Sequence, residues 1–173
     1  MSDRDGFEEY VTARRMALLR TAYLLTGHHE DAEDLVQLAL IKVVPHWRKV
    51  ADNPEPYVRA VLARESVSRW RRRRWREVST DALPEVHRSG ASAVADDAGR
   101  LALQAALGRL APRQRAVIVL RYYEDLTERE TAQVLGIAVG TVKSQARDAL
   151  ARLRDLVPGL DLDDDPALAP ATP

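Results

Sequence analysis

Residues 127–154 read TERETAQVLGIAVGTVKSQARDALARLR, and two helical patterns follow one another within them. Thr127 and Glu130 have the spacing of a capping box, which opens a helix. Gly136 comes after the apolar end of this helix, where glycine can take the left-handed conformation that closes it. In the second pattern apolar residues recur at helical spacing, at Val142, Ala146, Ala149, Leu150 and Leu153. These features predict a helix-turn-helix.

The second helix of this pair also has a polar face. Gly140, Lys143, Ser144 and Arg147 recur at helical spacing, opposite the apolar positions. Lysine, serine and arginine can donate to phosphates or base edges, and glycine lets the backbone approach a phosphate. The alternative is a helical hairpin whose cations only face water. The capping box, the glycine turn and the one-sided polar face together favour DNA binding.

The composition is typical of a soluble protein with packed cores. Of 173 residues, 46% are hydrophobic and 30% are charged, and there is no cysteine to form a disulfide or a thiolate metal site. No apolar run has the length of a membrane span. The first residues, MSDRDGFEEY, are acidic and polar, unlike a secretory signal. We therefore expect a cytoplasmic protein without membrane insertion.

The formal net charge of zero conceals a segregation of charge along the chain. Residues 59–76 contain eight arginines and one acid, whereas residues 155–173 contain five aspartates and no basic residue. A dense basic run attracts polyanions whatever the global charge. Trp70 and Trp75 interrupt the arginines, and aromatic rings can stack on unpaired bases, so this helix suits partly single-stranded DNA. The alternative is that both tryptophans pack inward.

The helical period dominates the whole chain and predicts an all-α fold of two small domains. We expect helices over residues 7–25, 30–44, 57–76, 97–109, 112–123, 128–135 and 139–155. The predicted organisation is a first domain over 1–77, a flexible linker over 78–97, a second domain over 98–157 and a disordered acidic tail over 158–173.

Histidines and acids cluster over residues 28–34, which read HHEDAED. No second group of metal-binding side chains is present to complete a shell, and acids in a first helical turn are favoured by the helix dipole. The cluster, with Gln37, is better explained as a docking surface. The chain also lacks the nucleophile and phosphate-binding motifs of common enzymes. We expect no metal, no cofactor and no catalysis; a metal-dependent hydrolase is the third-ranked alternative.

Two segments together resemble bacterial RNA polymerase sigma factors. EDAEDLVQ, over residues 30–37, resembles the region-two motif that binds core polymerase, and residues 107–154 resemble region four. The short connection between them resembles the extracytoplasmic-function group, the SigE type of actinobacteria most of all. This likeness implies a region-two helical bundle, a region-four helix-turn-helix, and an alternative sigma factor that directs promoter recognition and transcription initiation.

The resemblance also implies partners and contact residues. Docking on the β′ clamp helices of core RNA polymerase is implied for Asp31, Asp34, Leu35 and Gln37. Contacts to the −10 element of promoter DNA are implied for a loop over 47–53, with Trp47, Arg48, Lys49 and Asn53, and for Arg69, Trp70, Arg71, Arg72, Arg73 and Arg74. Contacts to the −35 element are implied for Arg113, Arg115, Thr141, Lys143, Ser144 and Arg147.

Further partners follow from the same resemblance. The 112–123 helix, with Val117, Ile118 and Leu120, is implied in packing and in the surface near the polymerase β flap, and family members often have an anti-sigma factor. Ala138 departs from the family pattern, because a capping serine or proline is frequent there. The runner-up interpretation is a stand-alone helix-turn-helix regulator, which would bind its operator without polymerase.

Overall fold

The computed structural model describes residues 3–78 and 97–159, with side chains for 6–73 and 99–159. Every regular element in these ranges is helical, and the chain divides into two compact units, Met1–Gly90 and Ala91–Pro173. The predicted all-α fold is therefore confirmed. Most of the predicted linker and tail, residues 79–96 and 160–173, lies outside the described residues. No described helix is both long enough and apolar enough to cross a membrane.

The amino-terminal unit begins with helices α1, Asp3–Thr26, and α2, His29–Val43. A 3₁₀ turn, Val44–His46, then leads into the short helix α3, Trp47–Val50, and the long helix α4 spans Glu55–Val78. The sequence predicted a loop where α3 lies, and that prediction is wrong for residues 47–50.

Helices α1, α2 and α4 pack around one apolar core. Each contributes residues at helical spacing, and the fully or almost fully buried ones include Leu18, Ala22, Leu35, Val36, Ala39, Val58 and Leu62. Burying a leucine or valine side chain contributes roughly 1.5–3 kcal/mol, so this shared core holds the three helices together. The polar residues of α2 and α4 are consequently confined to the outer faces and to the rim where the two helices meet.

A partly buried polar clamp ties α1 to the start of α4. The Tyr10 hydroxyl donates to Glu55 Oε2 over 2.6 Å, and Arg14 Nε donates to Glu55 Oε1 over 3.1 Å. Burial alone would raise the pKa of Glu55, but the hydrogen bonds from Arg14 and Tyr10 outweigh it and lower that pKa. The contribution of the carboxylate to stability is therefore present at neutral pH and lost as the pH falls through the lowered pKa.

The carboxy-terminal unit contains helices α5, Asp97–Gly108, and α6, Pro112–Ile118, which continues into a π-helical turn, Val119–Tyr123. Two further helices follow, α7, Glu128–Leu135, and α8, Val139–Leu156. They form the predicted helix-turn-helix.

Local sequence determines where α7 begins and ends. The amide of Glu130 donates to Thr127 Oγ1 over 3.2 Å, and the amide of Thr127 donates to Glu130 Oε2 over 2.7 Å. Gly136 closes the helix with φ of 65°. The predicted capping box and glycine turn are thus both confirmed.

The helix-turn-helix packs on a small core that contains one unsatisfied hydroxyl. Val117, Ala132, Val142 and Ala146 form a buried cluster against which Leu135 and Ile137 pack. Thr131 is 0% exposed, and its Oγ1 has no hydrogen-bond partner. A buried hydroxyl without a partner destabilises the folded state, because it has lost its bonds to water.

We expect Thr131→Val to raise the free energy of unfolding of the carboxy-terminal unit by about 1 kcal/mol, because valine has nearly the same shape and no hydroxyl to desolvate. Hydrogen exchange at the amides of α7 and α8 measures this change. Thr127→Val is the matched control and should lower the same quantity by about 1 kcal/mol, since it removes the cap. Protection in Thr131→Val at or below that of the unchanged chain would contradict the expectation.

Candidate functional site

The predicted docking residues lie on α2, whose other side is buried in the core. Asp34 and Gln37 are exposed, with 65% of the Asp34 side chain accessible, and Asp31 is half-buried at the rim beside α4. We call these three residues the acidic face. Leu35 is 0% exposed. The prediction that Leu35 contacts the polymerase is therefore wrong, because its side chain fills the core instead.

The acidic face is joined to α4 by ion pairs that the sequence did not predict. Arg73 Nη2 lies 2.9 Å from Asp31 Oδ1, and Arg69 Nη2 lies 3.6 Å from the same oxygen. Arg69 Nη2 is also 3.5 Å from Asp34 Oδ2. Two predicted docking acids and two predicted −10 contacts thus belong to one charge network.

A second network lies between the same two helices. Glu65 of α4 forms an ion pair with Lys42 of α2, and Arg72 Nη2 lies 3.5 Å from Glu65 Oε2. The one acid within the arginine-rich stretch of α4 thus offsets a cation on each helix. Arg72 remains exposed, with 56% of its side chain accessible, so a phosphate can still reach it.

The segment 47–53 combines a buried anchor with exposed polar residues. Trp47 is only 6% exposed, and its ring centroid lies 5.1 Å from that of Phe7 and 5.5 Å from that of Tyr10. The prediction that Trp47 contacts DNA is wrong, because the indole is enclosed by α1. The other predicted residues of this segment, Arg48, Lys49 and Asn53, are exposed.

The remaining predicted −10 contacts lie on α4. Trp70 is 43% exposed, which leaves part of its ring accessible for stacking. Arg71, Arg72 and Arg73 are exposed, and Arg69 is half-buried against the acidic face. The side chain of Arg74 lies outside the described residues.

The predicted −35 contacts of α8 lie on the side that faces away from the core. Lys143 and Arg147 are exposed, whereas Thr141 and Ser144 are half-buried, and Ser144 Oγ donates to Thr141 O over 3.1 Å. A Cβ added at Gly140 would meet no atom of the chain within 4 Å. We call Gly140, Thr141, Lys143, Ser144 and Arg147 the reading face.

Arg115, a predicted phosphate contact, also makes structural hydrogen bonds that the sequence did not predict. Its Nε donates to Leu107 O over 2.7 Å and its Nη2 to Gly108 O over 2.8 Å, so the guanidinium closes the carboxyl end of α5. Burial lowers the pKa of Arg115, but a guanidinium stays charged at any physiological pH. Arg113, the other predicted phosphate contact of this segment, is exposed.

The three apolar residues implicated near the polymerase flap are part of the core. Val117 and Leu120 are 0% exposed and Ile118 is 7% exposed, so they pack within the carboxy-terminal unit. The packing implied for these side chains thus agrees with their burial, and a flap contact of this helix stays a prediction. Among the described residues no three His, Cys, Asp or Glu side chains are grouped as a metal ion requires.

Comparison with known protein families gives two matches that together cover most of the chain. A family model described as Sigma-70 region 2 matches residues 10–76, and one described as Sigma-70, region 4 matches residues 100–153. The first range contains the acidic face and most of α4, and the second contains the helix-turn-helix.

Similar proteins include an RNA polymerase sigma-E factor of Streptomyces avermitilis, which is 42% identical over 159 residues, covering 91% of this chain and 88% of the relative. The ECF RNA polymerase sigma factor SigL of Mycobacterium tuberculosis is 34% identical over 142 residues, with 79% and 80% covered. Among solved structures, the sigma factor RpoE of Bartonella quintana, crystallised with the anti-sigma factor NepR, has a TM-score of 0.67 at 28% identity, covering 87% of this chain and 95% of that chain.

We expect Arg115→Met to lower the free energy of unfolding of the carboxy-terminal unit by about 2 kcal/mol, because it removes charge-assisted bonds to the end of α5. Arg113→Met is the matched control and should change it by less than about 0.5 kcal/mol, since that side chain is exposed. Hydrogen exchange at the amides of α5 and α6 measures both. If Arg115→Met kept full protection and only weakened duplex binding, the structural role would be wrong and the phosphate contact would be supported.

Proposed function

The chain belongs to the sigma-70 family and is an RNA polymerase sigma factor, and from this premise we propose that it docks on core polymerase through the acidic face and contacts promoter DNA with both units. One observation carries the proposal: a single chain holds the acidic face, with Asp34 and Gln37 exposed, on one unit and the reading face, with Lys143 and Arg147 exposed, on the other. A stand-alone regulator needs only the second of these.

Docking rests on the charge and exposure of α2. Asp34 and Gln37 offer acceptors and an amide to a partner, and the apolar residues behind them fix the helix in the bundle. The partner surface that suits them is rich in cations and donors, and we assign it to the β′ clamp helices of the polymerase. A contact between the carboxy-terminal unit and the β flap belongs to the same proposal, with no residue assigned to it.

Promoter recognition divides between the units. The reading face of α8 presents donors of the kind that bind base edges and phosphates in the major groove of the −35 element. On the other unit, Trp70, the exposed arginines of α4 and the segment 48–53 suit the partly unpaired −10 element. Because both contacts belong to one polypeptide, the second becomes intramolecular once the first has formed.

Three further statements belong to this proposal. The protein initiates transcription by binding, without a catalytic step of its own, and works in the cytoplasm, where polymerase and promoter meet. The similarity to RpoE, which was crystallised with NepR, supports an anti-sigma factor as a further partner. The proposed domain boundaries near 77 and 98 are supported by the end of α4 at Val78 and the beginning of α5 at Asp97.

We expect Asp34→Asn combined with Gln37→Ala to weaken binding of the full chain to core polymerase at least about tenfold, because it removes a charge and an amide from the docking helix. Surface plasmon resonance with immobilised core enzyme measures the affinity. The helical spectrum and melting should stay unchanged, since an exposed ion pair such as Asp34–Arg69 contributes only about 0–1 kcal/mol.

Glu9→Gln, an exposed position on α1, is the control for loss of a negative charge and should retain the affinity. Unchanged polymerase affinity in the double variant would remove the docking assignment. Tight and specific binding of a duplex by the unmodified chain alone, with no affinity for core enzyme, would instead establish the stand-alone regulator.

We expect Gly140→Ala to weaken binding of the holoenzyme to a promoter about tenfold if the backbone of α8 approaches a phosphate, because the added methyl group keeps the two apart. The fold should not suffer, since the methyl group meets open space within the chain. Gly99→Ala on α5, where a Cβ also meets nothing within 4 Å, is the matched control. Filter binding measures the promoter affinity. Equal affinity for the unchanged chain, Gly140→Ala and Gly99→Ala would exclude a close contact between the α8 backbone and a phosphate.

A further inference from the structure

Each exposed cation of the reading face lies beside a carboxylate. Lys143 Nζ is 3.7 Å from Glu128 Oε2 of α7, and Arg147 Nε is 3.4 Å from Asp148 Oδ1. The cations themselves are open to solvent, with 63% of the Lys143 side chain and 71% of the Arg147 side chain accessible. Ion pairs with cations this exposed contribute only about 0–1 kcal/mol to folding, so the two pairs themselves add little stability.

Glu128 lies in the first turn of α7, where the helix dipole favours a carboxylate, but it takes no part in the capping box. The capping box uses the side chains of Thr127 and Glu130, and the carboxylate of Glu128 lies outside it, next to Lys143. Asp148 follows Arg147 directly and is likewise exposed. Both carboxylates therefore lie beside the cations of the reading face, and each would repel a phosphate that approached those cations.

The two kinds of DNA contact respond differently to such repulsion. Binding to an arbitrary sequence consists almost entirely of phosphate contacts and counterion release. Binding to a cognate site adds hydrogen bonds to base edges, which act over short distances and depend on the sequence. A carboxylate beside each cation weakens the phosphate contacts in every complex. It leaves the base-edge hydrogen bonds of the cognate complex in place.

We propose that Glu128 and Asp148 are specificity-determining residues of the DNA-reading surface, which offset Lys143 and Arg147 so that arbitrary DNA is bound weakly. This inference rests on the proposed −35 contact of α8. It assigns the two acids a function in discrimination against wrong sequences.

The first test measures binding of the full chain to a random-sequence duplex of roughly 30 base pairs, which spans about three helical turns. We expect Glu128→Gln with Asp148→Asn to bind about tenfold more tightly at ~0.1 M salt, with the slope of log K against log salt steeper by up to about two. The control is Asp125→Asn with Asp155→Asn, which changes the net charge equally at exposed acids outside the two pairs. Asparagine is tolerated at Asp125, whose φ is 55°.

The second test uses holoenzymes assembled with core polymerase, which select sequences from a random duplex pool. The unchanged chain and the control variant should enrich the same motif strongly, and the Glu128→Gln Asp148→Asn variant should enrich it less. Unaltered binding of random duplex by that variant, equal tightening by the control, or undiminished motif enrichment would each overturn the inference. If the unchanged holoenzyme enriches no motif, the proposed promoter recognition is wrong. The random-duplex measurement needs neither polymerase nor a motif, so it still tests the effect of the two acids in that case.

Discussion

The packing of α4 against α2 determines which charged groups of the amino-terminal unit can meet. Residues such as Val36 and Leu62 bury the apolar sides of the two helices, so the polar positions that flank this contact lie along a common rim. At that rim Asp31 faces Arg69 and Arg73 over 2.9–3.6 Å. A cationic partner of Asp31 therefore competes with these two arginines, and a phosphate that binds the arginines competes with Asp31. The acids proposed to dock on polymerase and the arginines proposed to contact DNA therefore share one set of charges.

Some charged groups hold the helices of one unit together, whereas other charged side chains are more than half exposed. Glu55 is clamped by Tyr10 and Arg14, and Arg115 is hydrogen-bonded to the end of α5, so loss of either disturbs helix packing. Arg73 and Lys143 also have acidic partners, but more than half of each side chain is exposed. Their ion pairs are solvated and weak, and a polymerase or a duplex can replace them at little cost to stability.

Local signals in the sequence were sufficient for most helices and for the helix-turn-helix, because the capping box at Thr127 and the turn at Gly136 act through neighbouring residues. Helix α3 could not be predicted this way. It has four residues, too few for a periodic pattern, and depends on Trp47 packing against α1. The ion pairs between α2 and α4 were missed for a related reason, since they depend on the register of two packed helices. The hydrogen bonds of Arg115 to the end of α5 were missed because sequence does not show which carbonyls a cation will meet.

In both units, cations that are proposed to contact DNA lie beside carboxylates. This pairing is consistent with a chain that has 26 basic and 26 acidic residues and is nevertheless expected to bind a polyanion. Uncompensated cations would bind any duplex, since phosphate attraction is independent of sequence. Carboxylates next to Arg69, Arg73, Lys143 and Arg147 weaken that attraction within each unit. Strong binding then requires several contacts at once, and a single polypeptide that also docks on polymerase supplies them at high effective concentration. Because each unit alone binds DNA weakly, a promoter is selected by the assembled complex and not by either unit alone.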